Sequence, residues 1–273
     1  MRVLSRPLIA ALVCAGMAAL TGCSGARPTA AAGSPDFYWA AAGRSYAAGD
    51  YLKTLEQLDN LLKAPGSYQA KAIPWRIVVT AGLARGYADL ADRYTLGARL
   101  NRASIFRVRA AKYRTMAGGL ALRLAQQAED FAQEPLGQIP LVFPFPRGNA
   151  GQPPALIRIA SGFEPAVAEQ DAAEAVALER GILMAVCEAA GAPNDVAKAG
   201  AILAAESPSV SRQAFGDAMA LSLVAQASLF ERDRLDEPAN AALVKQKLEL
   251  LRAESARVGS ARIGMVVSAA SPQ

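Results

Sequence analysis

The sequence predicts an all-α fold, and two observations carry that prediction. Apolar residues recur at helical spacing, as in Tyr51, Leu55, Leu58 and Leu62, which fall on one face of a helix. No segment shows a sustained alternation of apolar and polar residues, the period of an amphipathic strand. We therefore expect helical hairpins that form a short solenoid or bundle, interrupted by one proline-rich connector.

The first residues of the chain have the pattern of a leader. Arg2 and Arg6 precede an apolar stretch over residues 8–20, which is shorter than the roughly 20 residues of a membrane-spanning helix. A basic start followed by a short apolar stretch is typical of a secretory signal peptide. Residues 1–22 are therefore predicted to be a signal peptide that is removed from the mature protein.

The leader ends in Leu20-Thr21-Gly22-Cys23. This motif resembles the lipobox of bacterial lipoproteins, in which an aliphatic residue and two small ones precede a cysteine. The resemblance implies cleavage before Cys23 and acyl chains such as palmitate on that residue, with residues 23–33 as a flexible lipidated tether. The alternative is an ordinary signal peptide cleaved nearby, for instance after Ala26, with Cys23 discarded.

The same resemblance implies a location. In this family a residue other than Asp after the cysteine favours the outer membrane, and here that residue is Ser24. The expectation is a protein of the cell envelope, anchored by lipid to the outer membrane and facing the periplasm. Removal of residues 1–22 leaves 251 residues and lowers the formal charge from +5 to about +3.

Residues 34–133 are predicted to form an N-terminal helical-repeat half. Ser34 followed by Pro35 is a helix start, with the serine as N-cap and the proline at the first position. The first helix is expected to end near Gly49-Asp50, and the second at Pro65-Gly66. Helix is expected again from Pro74, with a break at residues 101–104.

The first two helices carry a sequence pattern. Trp39, Ala42, Gly43 and Tyr46, followed by a turn and by Pro65, resemble one tetratricopeptide repeat, whose pattern opens W-x₂-L-G-x₂-Y. Trp75 lies 36 residues after Trp39, close to the 34-residue period, but Gly and Tyr are missing at the matching offsets. Either the repeats are degenerate, which we favour, or only one hairpin is present.

The remaining chain divides into three parts. Residues 134–165 hold seven prolines and include IPLVFPFPRG, so an extended connector is expected there. Residues 166–258 are predicted to form a C-terminal helical half, with a helix to about 190, a shorter one to about 205, a further start at Ser207-Pro208 and a last helix from Pro238. Residues 259–273 are expected to be a flexible tail.

Residues that carry catalysis are scarce. The chain has no histidine, which excludes Ser-His-Asp and Cys-His machinery and HExxH metal sites, and no phosphate-binding glycine loop occurs. Cys187 is the only cysteine left after Cys14 and Cys23 are accounted for, and we expect a buried, structural thiol. No cofactor and no bound metal are predicted. The acids at positions 169, 171, 174 and 179 are interpreted as a solvated face.

One stretch resembles a catalytic motif. Residues 155–165, ALIRIASGFEP, are similar to the motif of lytic transglycosylases, in which a glutamate directly before the serine is the general acid. Here Ala160 stands before Ser161, and an alanine has no proton to give. The sequence therefore predicts that the protein is not an enzyme.

The charges are unevenly distributed. Eight basic residues and no acid lie in residues 93–123, whereas residues 164–188 hold six acids against Arg180 alone. The basic segment could contact anionic lipid headgroups, cell-wall carboxylates or an acidic protein face, or the two segments could simply attract each other. Nucleic acid is not an expected partner of an exported chain with 6% aromatic residues.

These observations predict a lipid-anchored helical-repeat protein of the periplasm that acts as a protein-binding scaffold or envelope-assembly accessory. Its partners would be the membrane, through the lipid, and another envelope protein. An accessory lipoprotein that binds a small molecule for a transporter is the alternative, and a degenerate cell-wall lytic enzyme is the third. A pocket lined by aromatic residues and arginine would favour small-molecule binding. An open concave surface would favour the protein-binding scaffold.

Overall fold

A computed structural model of the chain describes residues 30–133, 137–146, 154–232, 242 and 245–253. The predictions for the signal peptide, for Cys23 and most of the tether, for the start of the last helix at Pro238 and for the tail lie outside these residues.

The described residues are mainly helical, which confirms the all-α prediction. One short antiparallel pair of strands, β1 (Gln138–Pro140) and β2 (Ser209–Ser211), places Ile139 opposite Val210. Residues 245–253 are also helical. The other helices are α1 (Pro35–Ala47), α2 (Tyr51–Leu61), α3 (Gln69–Leu100), α4 (Ser104–Gln133), α5 (Pro154–Ala160), α6 (Val167–Ala189), α7 (Val196–Leu203) and α8 (Arg212–Arg232).

Helix α3 is the centre of the fold. It contacts α2, α4, α5, α6 and α8, and most of its 32 residues are buried, including Trp75, Tyr87 and Tyr94. The buried residues form one continuous hydrophobic cluster that runs from Ala42 to Leu251. The described parts of the two predicted halves therefore share one core.

Helices α3 and α6 approach each other through glycines. A Cβ atom on Gly82 would lie 2.7 Å from the Cα of Ile182, and one on Gly86 would lie 2.8 Å from the carbonyl oxygen of Ala177. A Cβ on Gly181 would overlap the carbonyl oxygen of Gly82. Only glycine, which has no side chain, allows the two backbones to come this close.

The first helical hairpin begins as the sequence predicts. The Ser34 hydroxyl accepts a hydrogen bond of 3.2 Å from the backbone N–H of Phe37, and Pro35 takes the first position of α1. Gly49, with a φ of 78°, makes the turn, and Asp50 caps α2 by accepting from the N–H of Lys53. Both caps satisfy N–H groups that a helix start leaves unpaired.

The predicted helix start at Ser207-Pro208 is wrong. Residues 209–211 form β2 instead, and α8 starts at Arg212, where the Ser211 hydroxyl accepts from the N–H of Ala214. The backbone N–H of Leu141 also donates to the carbonyl of Pro208, at 2.8 Å. Pairing with the distant segment 138–141 overrides the local helix-start pattern, which reports only short-range preferences.

Two other boundaries differ from the prediction. Within the predicted connector, residues 138–146 are non-helical as expected, but residues 154–160 form α5, with Pro154 at its first position. Helix α3 starts at Gln69 and includes Pro74 inside it.

The helix lengths bear on the repeat resemblance. Helices α1 and α2 form a hairpin in which Ala42 is buried, whereas a Cβ on Gly43 would meet nothing within 4 Å. Trp75 lies inside α3, a continuous helix of 32 residues, and a tetratricopeptide unit of about 34 residues contains two helices. The degenerate second repeat therefore stays a prediction.

An aromatic side chain of the extended segment joins this hairpin to α3. The ring of Phe143 lies 5.3 Å from Trp39, 4.9 Å from Tyr46 and 4.7 Å from Trp75, measured between ring centroids. Phe143 is buried, and its centroid distances to the three rings lie in the range of interacting aromatic pairs. Phe143 thereby fixes residues 138–146 on the helical surface.

We expect Phe143→Ala to lower the free energy of unfolding by about 3–5 kcal/mol, because it removes buried apolar area and leaves a cavity among three rings. Phe163→Ala is the matched control, since Phe163 is exposed and the same change there should cost within about 0.5 kcal/mol. Urea denaturation measures both. Equal losses would show that Phe143 does not hold the segment in place.

Candidate functional site

A polar cleft lies where α3, α6 and α8 meet. Its volume is about 520 Å³, within the range of small-molecule sites. The cleft is partly open, and the described residues that line it include arginines but no aromatic residue, so it meets one of the two features expected of a small-molecule site. The lining residues are Arg85, Ala88, Asp89, Asp92, Ala177, Arg180, Gly181, Met184, Glu188, Asn194, Ala225 and Gln226.

Helical spacing places these side chains in the cleft. On α3, Arg85, Asp89 and Asp92 stand at i, i+4 and i+7, so they share one face of the helix. On α6, Arg180 and Glu188 stand at i and i+8 and share a face in the same way. Charged residues from one face of each helix thus converge on one place.

One wall of the cleft is internally neutralised. Arg85 donates a 2.6 Å hydrogen bond to one carboxylate oxygen of Glu188, and the Ser222 hydroxyl donates to the other at 2.9 Å. The side chain of Glu188 is 12% exposed, so the pair is screened by little water. This network connects α3, α6 and α8 and shapes the site.

Three polar atoms of the cleft residues are buried with no hydrogen-bond partner in the described part of the chain. They are Oδ2 of Asp89, Nη1 of Arg180 and Oε1 of Gln226. Asp89 uses its other oxygen to accept from Arg93 at 3.1 Å. Gln226 is only 2% exposed. Each unpaired buried group costs about 1–3 kcal/mol. These two acceptors and one donor belong to side chains that line the cleft.

Another buried polar cluster serves packing. Glu174 of α6 accepts hydrogen bonds from the hydroxyls of Tyr87, at 3.3 Å, and Tyr113, at 2.9 Å. Burial, followed by the Glu174 carboxylate, raises the pKa of both tyrosines, so both stay protonated as donors. Glu174 is thus not part of a solvated face, and that interpretation of the four acids is wrong at this position.

The remaining predicted residues are placed as follows. Cys187 is fully buried, as expected, and burial raises the pKa of its thiol, which suits a structural role. Ala160 is the last residue of α5, and Arg158 nearby pairs with Glu169 at 2.8 Å. Among the described residues, no group of three or more His, Cys, Asp or Glu side chains could hold a metal ion.

The basic segment divides into two groups. Four arginines are hydrogen-bonded within the fold. Arg93 donates to Asp89, Arg109 to the Tyr94 hydroxyl, Arg114 to Thr95 and Arg123 to Asp59. Arg99, Arg102 and Arg107 are exposed at the junction of α3 and α4. The segment is therefore not one continuous surface.

Sequence reasoning missed the cleft. The available signal was the helical spacing of Arg85, Asp89 and Asp92 on α3 and of Arg180 and Glu188 on α6, which puts each set on one face of its helix. Gln226 carried no signal, because nothing local to it shows that α8 packs at this junction.

Comparison with family models, with curated proteins and with solved structures found no match for this chain. In the part of the chain that the structure describes, no helix has the length and apolar character that a membrane span requires. The geometry of the cleft therefore carries the functional argument.

Proposed function

We propose that this protein is a lipid-anchored binding protein of the cell envelope and that the cleft between α3, α6 and α8 holds a small zwitterion. The observation that carries the proposal is the set of three unpaired buried atoms on Asp89, Arg180 and Gln226. A bound molecule that pairs with them would recover part of the free energy that their burial costs.

The charges of the cleft favour a ligand with both signs. Arg85 and Glu188 neutralise each other, and Asp89 pairs with Arg93 through one oxygen, so the groups left to a ligand include the cation Arg180 and the second carboxylate oxygen of Asp89. A carboxylate would pair with Arg180, and an ammonium group would donate to Asp89 and to the amide oxygen of Gln226. Amino acids and short peptides carry both groups at suitable size.

The envelope location rests on the sequence. The lipobox-like Leu20-Thr21-Gly22-Cys23 supports lipidation at Cys23, and several acyl chains anchor a protein firmly. We propose no catalysis, because Ala160 supplies no general acid.

A protein-binding scaffold is the second candidate, and one observation favours it. The α1–α2 hairpin resembles a tetratricopeptide unit. Phe143 of the extended segment 138–146 packs on Trp39 and Tyr46 of this hairpin. A helical-repeat surface that holds such a segment within the chain suits peptides of similar character.

We expect free amino acids or dipeptides to stabilise the protein. A ligand at about 100 times its Kd contributes about 2.7 kcal/mol, which for a chain of this size raises Tm by roughly 5–10 °C. Thermal denaturation in the presence of each member of a panel of amino acids and dipeptides measures the shift in Tm. N-acetylated and C-amidated forms of the same dipeptides should produce no shift. Titration calorimetry then gives the affinity.

Variants assign the binding to the cleft. Arg180→Ala and Gln226→Leu should each remove the ligand-induced shift relative to their own ligand-free Tm. Arg44→Ala, at an exposed arginine of α1, is the control and should keep it. If no member of the panel stabilises the wild-type protein, or if Arg180→Ala responds like wild type, the zwitterion proposal is wrong.

The anchor has a separate test. Expressed with its leader in a bacterium, the wild-type chain should incorporate labelled palmitate and sediment with the membranes, whereas Cys23→Ser should do neither. Cys187→Ser is the control and should still be labelled, because that thiol is buried in the fold. Equal labelling of wild type and Cys23→Ser would contradict the lipobox interpretation.

A further inference from the structure

One end of the molecule exposes large apolar side chains beside arginines. We call it the basic tip and define it as Leu96, Leu100, Phe163, Arg99, Arg102 and Arg107. It comprises the end of α3, the start of α4 and the loop between α5 and α6.

The apolar members are far from buried. Leu100 is 70% exposed and Phe163 is 61% exposed, while Leu96 lies one helical turn before Leu100 on the same face. Exposed single leucines are common, but Leu100 and Phe163 are both highly exposed on two segments that meet at this tip, which calls for an explanation.

The structure brings these residues together. The side-chain amide of Asn101 donates a 2.9 Å hydrogen bond to the carbonyl of Gly162, and a Cβ on Gly162 would lie 3.1 Å from the Cβ of Leu100. Gly162 has a φ of 80°, a conformation that places Phe163 after a tight turn beside the end of α3. The α3 end and the α5–α6 loop are thus joined at the tip.

The arginines of the tip form no ion pair or hydrogen bond within the described residues. Arg99, Arg102 and Arg107 are all exposed, in contrast to Arg93 and Arg123, which are paired with carboxylates. One exposed acid, Glu164, lies next to Phe163, so the tip carries an excess of positive charge.

We propose that the basic tip binds the surface of an anionic lipid bilayer, with Leu100 and Phe163 entering the interface and the three arginines contacting lipid phosphates. Apolar side chains next to basic ones are the composition of surfaces that lie in the headgroup region. The charge complementarity selects lipid phosphates over a neutral or basic partner.

The basic tip lies at the end of the molecule opposite to helix α1. Helix α1 contacts the start of α3, where Trp39 stacks on Tyr68, and the tip is at the other end of α3, about 48 Å away for 32 residues. Where the proposed lipid at Cys23 is also present, the protein is held at both ends and α3 lies along the bilayer. Two linked contacts bind more tightly than either alone.

The test uses the chain from residue 24, which lacks leader and lipid but keeps every described core residue, since these lie between 42 and 251. Co-sedimentation compares vesicles of phosphatidylcholine alone with vesicles that also contain phosphatidylglycerol. We expect binding to the anionic vesicles only, weakening as salt rises. Success or failure here is independent of both the cleft ligand and the Cys23 lipid.

Two sets of variants locate the contact. Arg99→Gln, Arg102→Gln and Arg107→Gln together should weaken binding about 100-fold, since each basic residue near an anionic surface contributes roughly five-fold. The triple control Arg44→Gln, Lys53→Gln and Lys71→Gln removes the same charge from exposed sites of α1, α2 and α3 and should weaken binding far less. Leu100→Ser with Phe163→Ser should also weaken binding, whereas Leu52→Ser with Leu221→Ser should not.

Three outcomes would overturn the proposal. The wild-type chain could fail to bind the anionic vesicles, or the control triple could lose as much binding as the tip triple, which would show a dependence on net charge alone. Sedimentation without lipid could also show a dimer that Leu100→Ser with Phe163→Ser abolishes. That result would assign the tip to contact between two copies of the chain.

Discussion

The close contact between α3 and α6 is the constraint on which the rest of the structure depends. Gly82 and Gly86 on one helix and Gly181 on the other bring the two backbones together at distances that exclude any Cβ atom. Interhelical separation depends on the side chains at the contact, so glycines on both sides give the closest approach. Helix α3 can then be buried on most of its faces, and one core extends through the described residues.

The same contact creates the candidate site. Arg85 directly precedes Gly86, and Arg180 directly precedes Gly181, so charged side chains flank the point of closest approach. Helix α8 contacts both α3 and α6. Its Ser222 donates a hydrogen bond to Glu188, and its Gln226 lines the polar cleft beside the close contact. The close contact between α3 and α6 holds these partly unpaired polar atoms in place before a ligand arrives. Such preorganisation favours binding.

Much of the fold was predictable, and the exceptions have physical reasons. Ser34 and Asp50 lie where local capping decides the helix boundary, whereas Ser207-Pro208 has the same local pattern but pairs with a segment some 70 residues away. Periodicity shows which face of a helix is apolar and does not show which helix covers it. From the sequence alone, Gly82, Gly86 and Gly181 are therefore residues that destabilise a helix. Their role in packing, and the cleft beside them, cannot be predicted without knowing which helices are in contact.

The most direct test of this account is native-state hydrogen exchange on Gly181→Ala, with Gly119→Ala as control, because Gly119 is an exposed helical glycine with nothing within 4 Å of its Cβ position. We predict that Gly181→Ala lowers the free energy of unfolding by at least about 1–3 kcal/mol, through overpacking, and removes amide protection from α3 and α6 together. Gly119→Ala should leave protection unchanged or raise stability by up to about 1 kcal/mol. Unchanged protection of α3 and α6 in Gly181→Ala would contradict the claim that this contact organises the fold.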